Sequence, residues 1–293
     1  MRIAVFTKNT TNPAYESFRI GADRVARASG ARTVHFVPGK PDNVDEQTAM
    51  VEQVLRERPD IVIFNPVDDV AMVDSVKKLT AANIPVVLVG NLMPGTFVTF
   101  VGADDVEIGY RQARYLFDHL GGNGSIVVIE GTPVAPTNRN RLRGYQRALA
   151  EYPGIQVLGS EVGNFQQPDG KRAMAKLLRE HARIDALLSA NDSMALGALE
   201  ALAKAGRSTT VIGINGILDA VRQIETGAIL ATVDFNMFKI GSVATLAALR
   251  HLARQPVPDK IILPAEIIDR SNYQAWLTPV SERPCPEWGD VVG

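Results

Sequence analysis

Short runs of uninterrupted apolar residues recur along this chain, separated by amphipathic stretches, and that alternation leaves very few folds open. Ile3–Phe6, Ile61–Phe64, Val86–Val89, Ile126–Ile129, Ala186–Leu188 and Val211–Ile214 are apolar at nearly every position, so both faces of such strands need cover. Thr33–Val37, Gln156–Leu158 and Ile229–Val233 read as further strands. Tyr15–Ala28, Val44–Arg58, Val70–Ala82, Val106–Leu120 and Leu142–Ala150 carry helical periodicity between them. Strands buried on both faces and alternating with helices predict a doubly wound, parallel α/β fold.

The pattern also repeats. Ile3 and Gly21 have counterparts in Ile126 and Gly144, Val34 in Val157, Asp60 in Asp185, Asn65 in Asn191, and the run ending at Gly90 in that ending at Asn215. The offset stays between 123 and 126 residues, too long for a solenoid, and marks two similar lobes. In open parallel sheets ligands sit beyond the carboxyl ends of the strands, so lobes that face one another would line one cleft.

The 293 residues carry 31 basic and 32 acidic side chains, which argues against a nucleic-acid binder, and 46% are hydrophobic, enough for a substantial core. No apolar run is long enough to cross a bilayer. The single cysteine, Cys285, excludes internal disulfides and a cysteine metal cluster, and no metal or cofactor is expected. Glycine-rich phosphate loops, a nucleophile elbow and a zinc-protease helix are all absent, so the chain does not read as an enzyme. His35, His119, His181 and His251 fall in strand or helix segments and read as structural or surface residues. The chain opens directly into an apolar strand, so export requires that a signal peptide was removed or omitted.

The residues after each strand carry the functional signal. Lys8 and Tyr15 flank Asn12, which reads as a helix cap before Pro13 and as a ligand contact. Asn65 points from a strand end, Asp68 reads as a cap, and Asn91 is a ligand contact or a turn residue. In the second half, Arg139 or Arg141 offers a forked donor, and Phe165 is a stacking platform or a core plug. Asp192 reads as a helix cap that leaves Asn191 for the cleft, and Asn215-Gly216 closes the set. Amides, a few cations and aromatics converging in this way suit a neutral polyhydroxy ligand, whose hydroxyls pair with amides and whose C–H faces pack on rings.

These residues resemble the periplasmic sugar-binding proteins of the ribose/allose-binding type, substrate receptors of ABC transporters. The resemblance spans about residues 1–268 and runs through Lys8-x3-Asn12-Pro13, Asn65-Pro66, Gly102-Ala-Asp-Asp105, Arg139-x-Arg141-x-x-Gly144, Phe165, Ala190-Asn-Asp-Ser-Met-Ala-Leu-Gly-Ala198, Asn215-Gly216 and Ala231-Thr-Val233. It implies a two-lobed, Venus-flytrap clamp of type I, with residues 1–103 and 235–263 in one lobe and 104–234 and 264–293 in the other. Three crossings would form the hinge, near Gly102–Asp105, Thr232–Asn236 and Ile262–Glu266. The implied contacts are Lys8, Asn12, Tyr15, Asn65, Arg141, Phe165 and Asn191. The implied setting is a periplasmic monomer delivering a sugar or polyol to a permease, with a chemoreceptor as a further partner.

The departures from that family raise a question of charge. Where the family carries an aspartate after the fourth strand of each lobe, this chain has Gly90 with Asn91, and Asn215; its frequent hinge glutamine is Phe235. Lys8 and Arg141 remain, so either Glu130 or Asp234 turns inward, or the ligand is a sugar acid. The tail from about residue 271, with Trp276 and Trp288, has no counterpart in the family and is expected to pack on a surface. Other readings of the same fold are the effector domain of a LacI-type regulator without its DNA-binding segment, and a receptor for a non-sugar signal.

Overall fold

The computed structural model describes residues 1–292. In chain order the first elements are β1 (Arg2–Phe6), α1 (Pro13–Ala28), β2 (Arg32–Phe36), α2 (Val44–Glu57), β3 (Ile61–Phe64), α3 (Val73–Ala81), β4 (Val86–Val89) and β5 (Thr99–Gly102). Then follow α4 (Asp105–His119), β6 (Asn123–Glu130), α5 (Pro136–Leu149), β7 (Gly154–Val162), α6 (Gln167–Glu180), β8 (Ala186–Ser189), α7 (Asp192–Ala205), β9 (Thr210–Ile214), α8 (Leu218–Thr226) and β10 (Ala231–Asp234). The chain finishes with α9 (Met237–Leu252), β11 (Lys260–Ile262), β12 (Glu266–Ile268), 3-10 turns at Tyr273–Leu277 and Val280–Glu282, and α10 (Gly289–Val292).

The residues divide into two compact units. The first holds Met1–Ala103, Asn236–Leu263 and the segment from Val280 onward; the second holds Asp104–Phe235 and Pro264–Pro279. Unit one is built on a sheet of order β11-β5-β4-β3-β1-β2, paired in parallel throughout. Unit two has order β12-β10-β9-β8-β6-β7, parallel except for the antiparallel edge strand β12. The expectation of two α/β lobes with parallel sheets holds, with that one edge strand added.

Burial accounts for the sequence pattern. Every residue of β3, β4 and β8 is buried. Ala4, Phe6, Val62, Phe64 and Leu88 face one core together with Val51 and Val54 of α2 and Val76 and Leu79 of α3. The expected β7 is longer than its apolar run, because an edge strand buries little and so tolerates polar residues. Strands β5, β11 and β12 are three or four residues long, too short to stand out as periodic runs. The repeated Gly21 and Gly144 are helix-crossing points. A Cβ on Gly21 would meet the Phe238 carbonyl of α9 at 2.2 Å, and one on Gly144 would meet the Val106 carbonyl of α4 at 2.3 Å.

Three expectations need correction. The segment expected to begin a helix at Val70 first makes a turn, in which Asp68 accepts from the amides of Val70 and Ala71, and α3 starts at Val73. Residues 264–293, grouped by expectation with the second lobe although the tail from about 271 has no place assigned by the sequence, are divided. Pro264–Pro279 belongs to unit two, whereas the later part lies on α1 and α9 of unit one, where Arg24 donates to the Arg283 carbonyl and Arg250 stacks 4.6 Å from the Trp288 ring centre. A fourth passage between the units, at Pro279/Val280, therefore joins the three expected near 103, 235 and 263. No helix among the described residues is long and apolar enough to cross a membrane.

Candidate functional site

In unit one the chemistry gathers after β1, β3 and β4. Asn12 caps α1, accepting from the Ala14 amide at 3.0 Å, with Pro13 at the first helical position as expected. Lys8 is 5% exposed, a burial that a cation tolerates only with an anion at hand. The Lys8 charge acts on the nearby Asp42 carboxyl and favours its ionised form, while burial, the larger effect, pushes its pKa up. Tyr15 is half-buried on the first turn of α1.

Asn65 is 2% exposed, and its Oδ1 has no donor among the described residues. Gly90 makes room for it: a Cβ there would lie 3.1 Å from both Asn65 side-chain atoms Oδ1 and Nδ2. Asn91 donates to the Pro66 carbonyl at 3.1 Å, so it shapes the loop after β3. Sequence reasoning missed Gln47. Fully buried on α2, it donates to the Asn65 carbonyl at 3.0 Å and accepts from the Val67 amide at 2.9 Å, bracing both sides of Asn65-Pro66. The signal was available, because Gln47 is the one polar member of the stripe Val44, Gln47, Val51 and Val54.

In unit two the buried guanidinium belongs to Arg141. Its Nε lies 3.0 Å from Asp105 Oδ1, its Nη1 donates to the Ala190 carbonyl, and its Cζ stands 5.4 Å from the Phe235 ring centre. Arg139 is exposed and donates to the Val134 carbonyl. Asp105 pairs with Arg141, while Glu130 accepts from Ser160 and the buried Asp234 accepts from Trp276.

Phe165 follows Asn164, and both residues sit at positive φ, 59° and 50°. Its ring covers Gly131, where a Cβ would fall 2.0 Å from the ring. The ring is only half-buried, so it does not act as a core plug. The cap of α7 is Asn191, not Asp192 as expected. Asn191 caps α7, accepting from the Met194 amide at 2.9 Å and donating to the Phe165 carbonyl at 3.0 Å, and one amide hydrogen of its side chain remains.

Asp192 lies fully buried behind the next turn. It accepts from the Ile217 amide at 3.0 Å and meets the Thr232 hydroxyl at 2.7 Å. Burial is the main reason its carboxyl is pushed up to about 7, and the neighbouring Asp234 adds to the shift. Asn215 has a φ of 133° and, like Asn65 in unit one, a buried Oδ1 without a donor among the described residues.

A buried acceptor without a donor is uncommon in a folded protein and calls for an explanation. Here one such oxygen stands at a strand end in each unit. Among the described residues, no group of three His, Cys, Asp or Glu side chains is placed to hold a metal.

Known proteins carry the same pattern. The family described as periplasmic binding protein domain matches residues 3–256. The ribose import binding protein of Bacillus subtilis (strain 168) is 30% identical over 266 residues, 90% of this chain and 86% of that protein. The D-ribose/D-allose-binding protein of Pseudomonas aeruginosa is 29% identical over 265 residues, 87% of this chain and 83% of that one. An ABC transporter periplasmic solute binding protein from Actinobacillus succinogenes 130z, solved with bound D-allose, superposes with a TM-score of 0.89 at 26% identity, covering 94% of this chain and 99% of its own. The family consists of solute-binding proteins rather than enzymes. This chain belongs to the periplasmic binding protein family, in its type I form of two α/β lobes.

Proposed function

We propose that the protein captures a neutral sugar or polyol and delivers it to an ABC importer. The observation that carries this reading is the pair of buried amide oxygens, Asn65 Oδ1 and Asn215 Oδ1, each awaiting a donor. The hydroxyl groups of a polyhydroxy ligand are such donors. Neutrality is supported by the ion pair of the buried Arg141 with Asp105, which meets that cation's charge without a ligand.

The proposed contacts are Lys8, Asn12, Tyr15, Asn65, Asn91, Arg141, Phe165, Asn191, Asn215 and Phe235. Phe165 and Phe235 offer ring faces to the C–H side of the ligand, and the amides take its hydroxyls. The proposed setting is the periplasm, with the protein acting as a monomer and presenting its loaded form to a permease, or to a chemoreceptor. The relatives named for ribose and allose support a pentose or hexose.

A calorimetric and thermal-shift panel tests this with pentoses, hexoses, pentitols, hexitols, and aldonic and uronic acids. One neutral compound is expected to raise the melting temperature by several degrees, since a ligand at 100 times its Kd stabilises by about 2.7 kcal/mol. Stabilisation by the acids alone overturns the neutral reading. Stabilisation by none of the panel overturns the polyhydroxy reading.

A further inference from the structure

We propose that Trp276, in the C-terminal segment, is a positioning residue for ligand binding: it anchors Asp234, and Asp234 seats the Asn215–Gly216 turn. The inference rests on the reading of Asn215 as a ligand contact.

The segment around Trp276 is already tied to unit two by other bonds. Tyr115 donates to Asp269 at 2.7 Å, and Asn272 donates to the Ile267 carbonyl at 2.9 Å. Trp276 does something different. Its indole Nε1 donates to Asp234 Oδ2 at 2.8 Å, reaching the last residue of β10, which is 5% exposed. An indole N–H is a donor only, so the contact orients an acceptor and cannot reverse.

Asp234 in turn lies directly on the turn after β9. A side chain at Gly216 would place its Cβ 2.8 Å from Asp234 Cβ and 2.9 Å from Asp234 Cγ. Thr232, two residues earlier on β10 and therefore on the same face, accepts from the Gly216 amide at 3.3 Å. The Ile217 amide goes to Asp192, and the Asn215 amide goes to the Val233 carbonyl at 2.9 Å. Asn215 itself has a backbone conformation that side-chain-bearing residues rarely adopt, and such strain persists only where the surroundings over-determine it. The surroundings here are β10 and Asp192, and the side chain of Asp234 is held by the tail. Without the indole N–H, Asp234 loses the hydrogen bond that orients its Oδ2, its packing against Gly216 loosens, and the Asn215 oxygen is aimed less tightly.

The test is Trp276→Phe, which keeps an aromatic ring and removes the N–H, with Trp288→Phe in unit one as the matched control. In ligand-free protein, hydrogen exchange at the Gly216 and Ile217 amides is expected to rise about tenfold in the first variant and not in the second, the mark of a locally loosened turn. Titration with D-ribose, D-allose or xylitol, whichever binds the unaltered protein, is expected to show a Kd raised several-fold while the ligand-free melting temperature hardly moves.

Unchanged exchange in Trp276→Phe, or an equal rise in Trp288→Phe, overturns the proposal. Faster exchange with an unchanged Kd overturns it as well, because the turn then does not govern binding. If the unaltered protein binds none of the sugars, the ligand reading falls and the exchange arm alone decides the brace. Should Trp276→Phe not fold, Asp234→Ala is compared with Asp234→Asn. The asparagine retains an oxygen for the indole and is expected to keep the turn, so equal effects overturn the proposal.

Discussion

The Arg141 guanidinium and the Asp105 carboxylate face each other at 3.0 Å, with side-chain exposures of 3% and 13%. Arg141 belongs to α5 and Asp105 opens α4, so the pair ties two helices of unit two at the end where the strands finish. Its presence means that the cation is a structural group before it is a ligand group. Removing one partner leaves an uncompensated buried charge, which costs far more than the pair contributes. Asp105→Asn is therefore expected to lower stability by about 3 kcal/mol in urea unfolding. Adding Arg141→Gln to it should recover part of that loss; no recovery would mean that Asp105 acts through other partners.

Asp192 predicts a pH dependence of stability. Its carboxyl is pushed up to about 7 in the folded protein, chiefly by burial, against about 3.9 in an unfolded chain. Between those values the unfolded chain releases a proton that the native protein keeps, so stability falls as pH rises from about 4 to about 7 and then levels off. Asp192→Asn is expected to remove this component and flatten the curve. Denaturant unfolding at half-unit pH intervals checks it, and an unchanged slope in the variant assigns the dependence elsewhere.

Phe165 and Gly131 form a second test of the site. The ring lies on the bare backbone of Gly131, so Gly131→Ala must push it aside. Both Phe165→Ala and Gly131→Ala are expected to weaken sugar binding, the former by about 1–3 kcal/mol, the scale of a ring face lost from a ligand site. Calorimetric titration with the sugar found in the panel measures this. Normal binding by Phe165→Ala would return the ring to a packing role.

Asn65 and Asn191 are expected to separate ligand binding from folding. Asn65 Oδ1 has no donor to lose, so Asn65→Ala should weaken binding while scarcely changing the ligand-free melting temperature. Asn191 caps α7 and holds the Phe165 carbonyl, so Asn191→Ala should cost about 1 kcal/mol of stability as well as affinity. Paired thermal and calorimetric data on the two variants distinguish the roles, and equal stability losses would contradict them.

The α/β class, the two similar units and the strand ends that matter were legible in the amino-acid order, because buried strands must be apolar on both faces and helices must keep their period. Ile61–Phe64 and Val86–Val89 could hardly be anything else. Lys8, Asn65 and Phe165 were legible as candidates because a polar or aromatic residue just past such a strand has no core role to explain it, whereas the sequence left Arg139 and Arg141 as alternatives.

Pairing between residues distant in the chain was not legible. Asp105 and Arg141 are 36 positions apart, and Gln47 meets the Asn65 carbonyl across 18. Whether Asn191 or Asp192 caps α7 turns on a single helical residue, and both types cap equally well. The tail carried no periodicity at all, and the structure alone placed Trp276 on Asp234. Periodicity is a local property that each segment expresses by itself, whereas the partner of a buried charge or amide is chosen only when separate segments pack together.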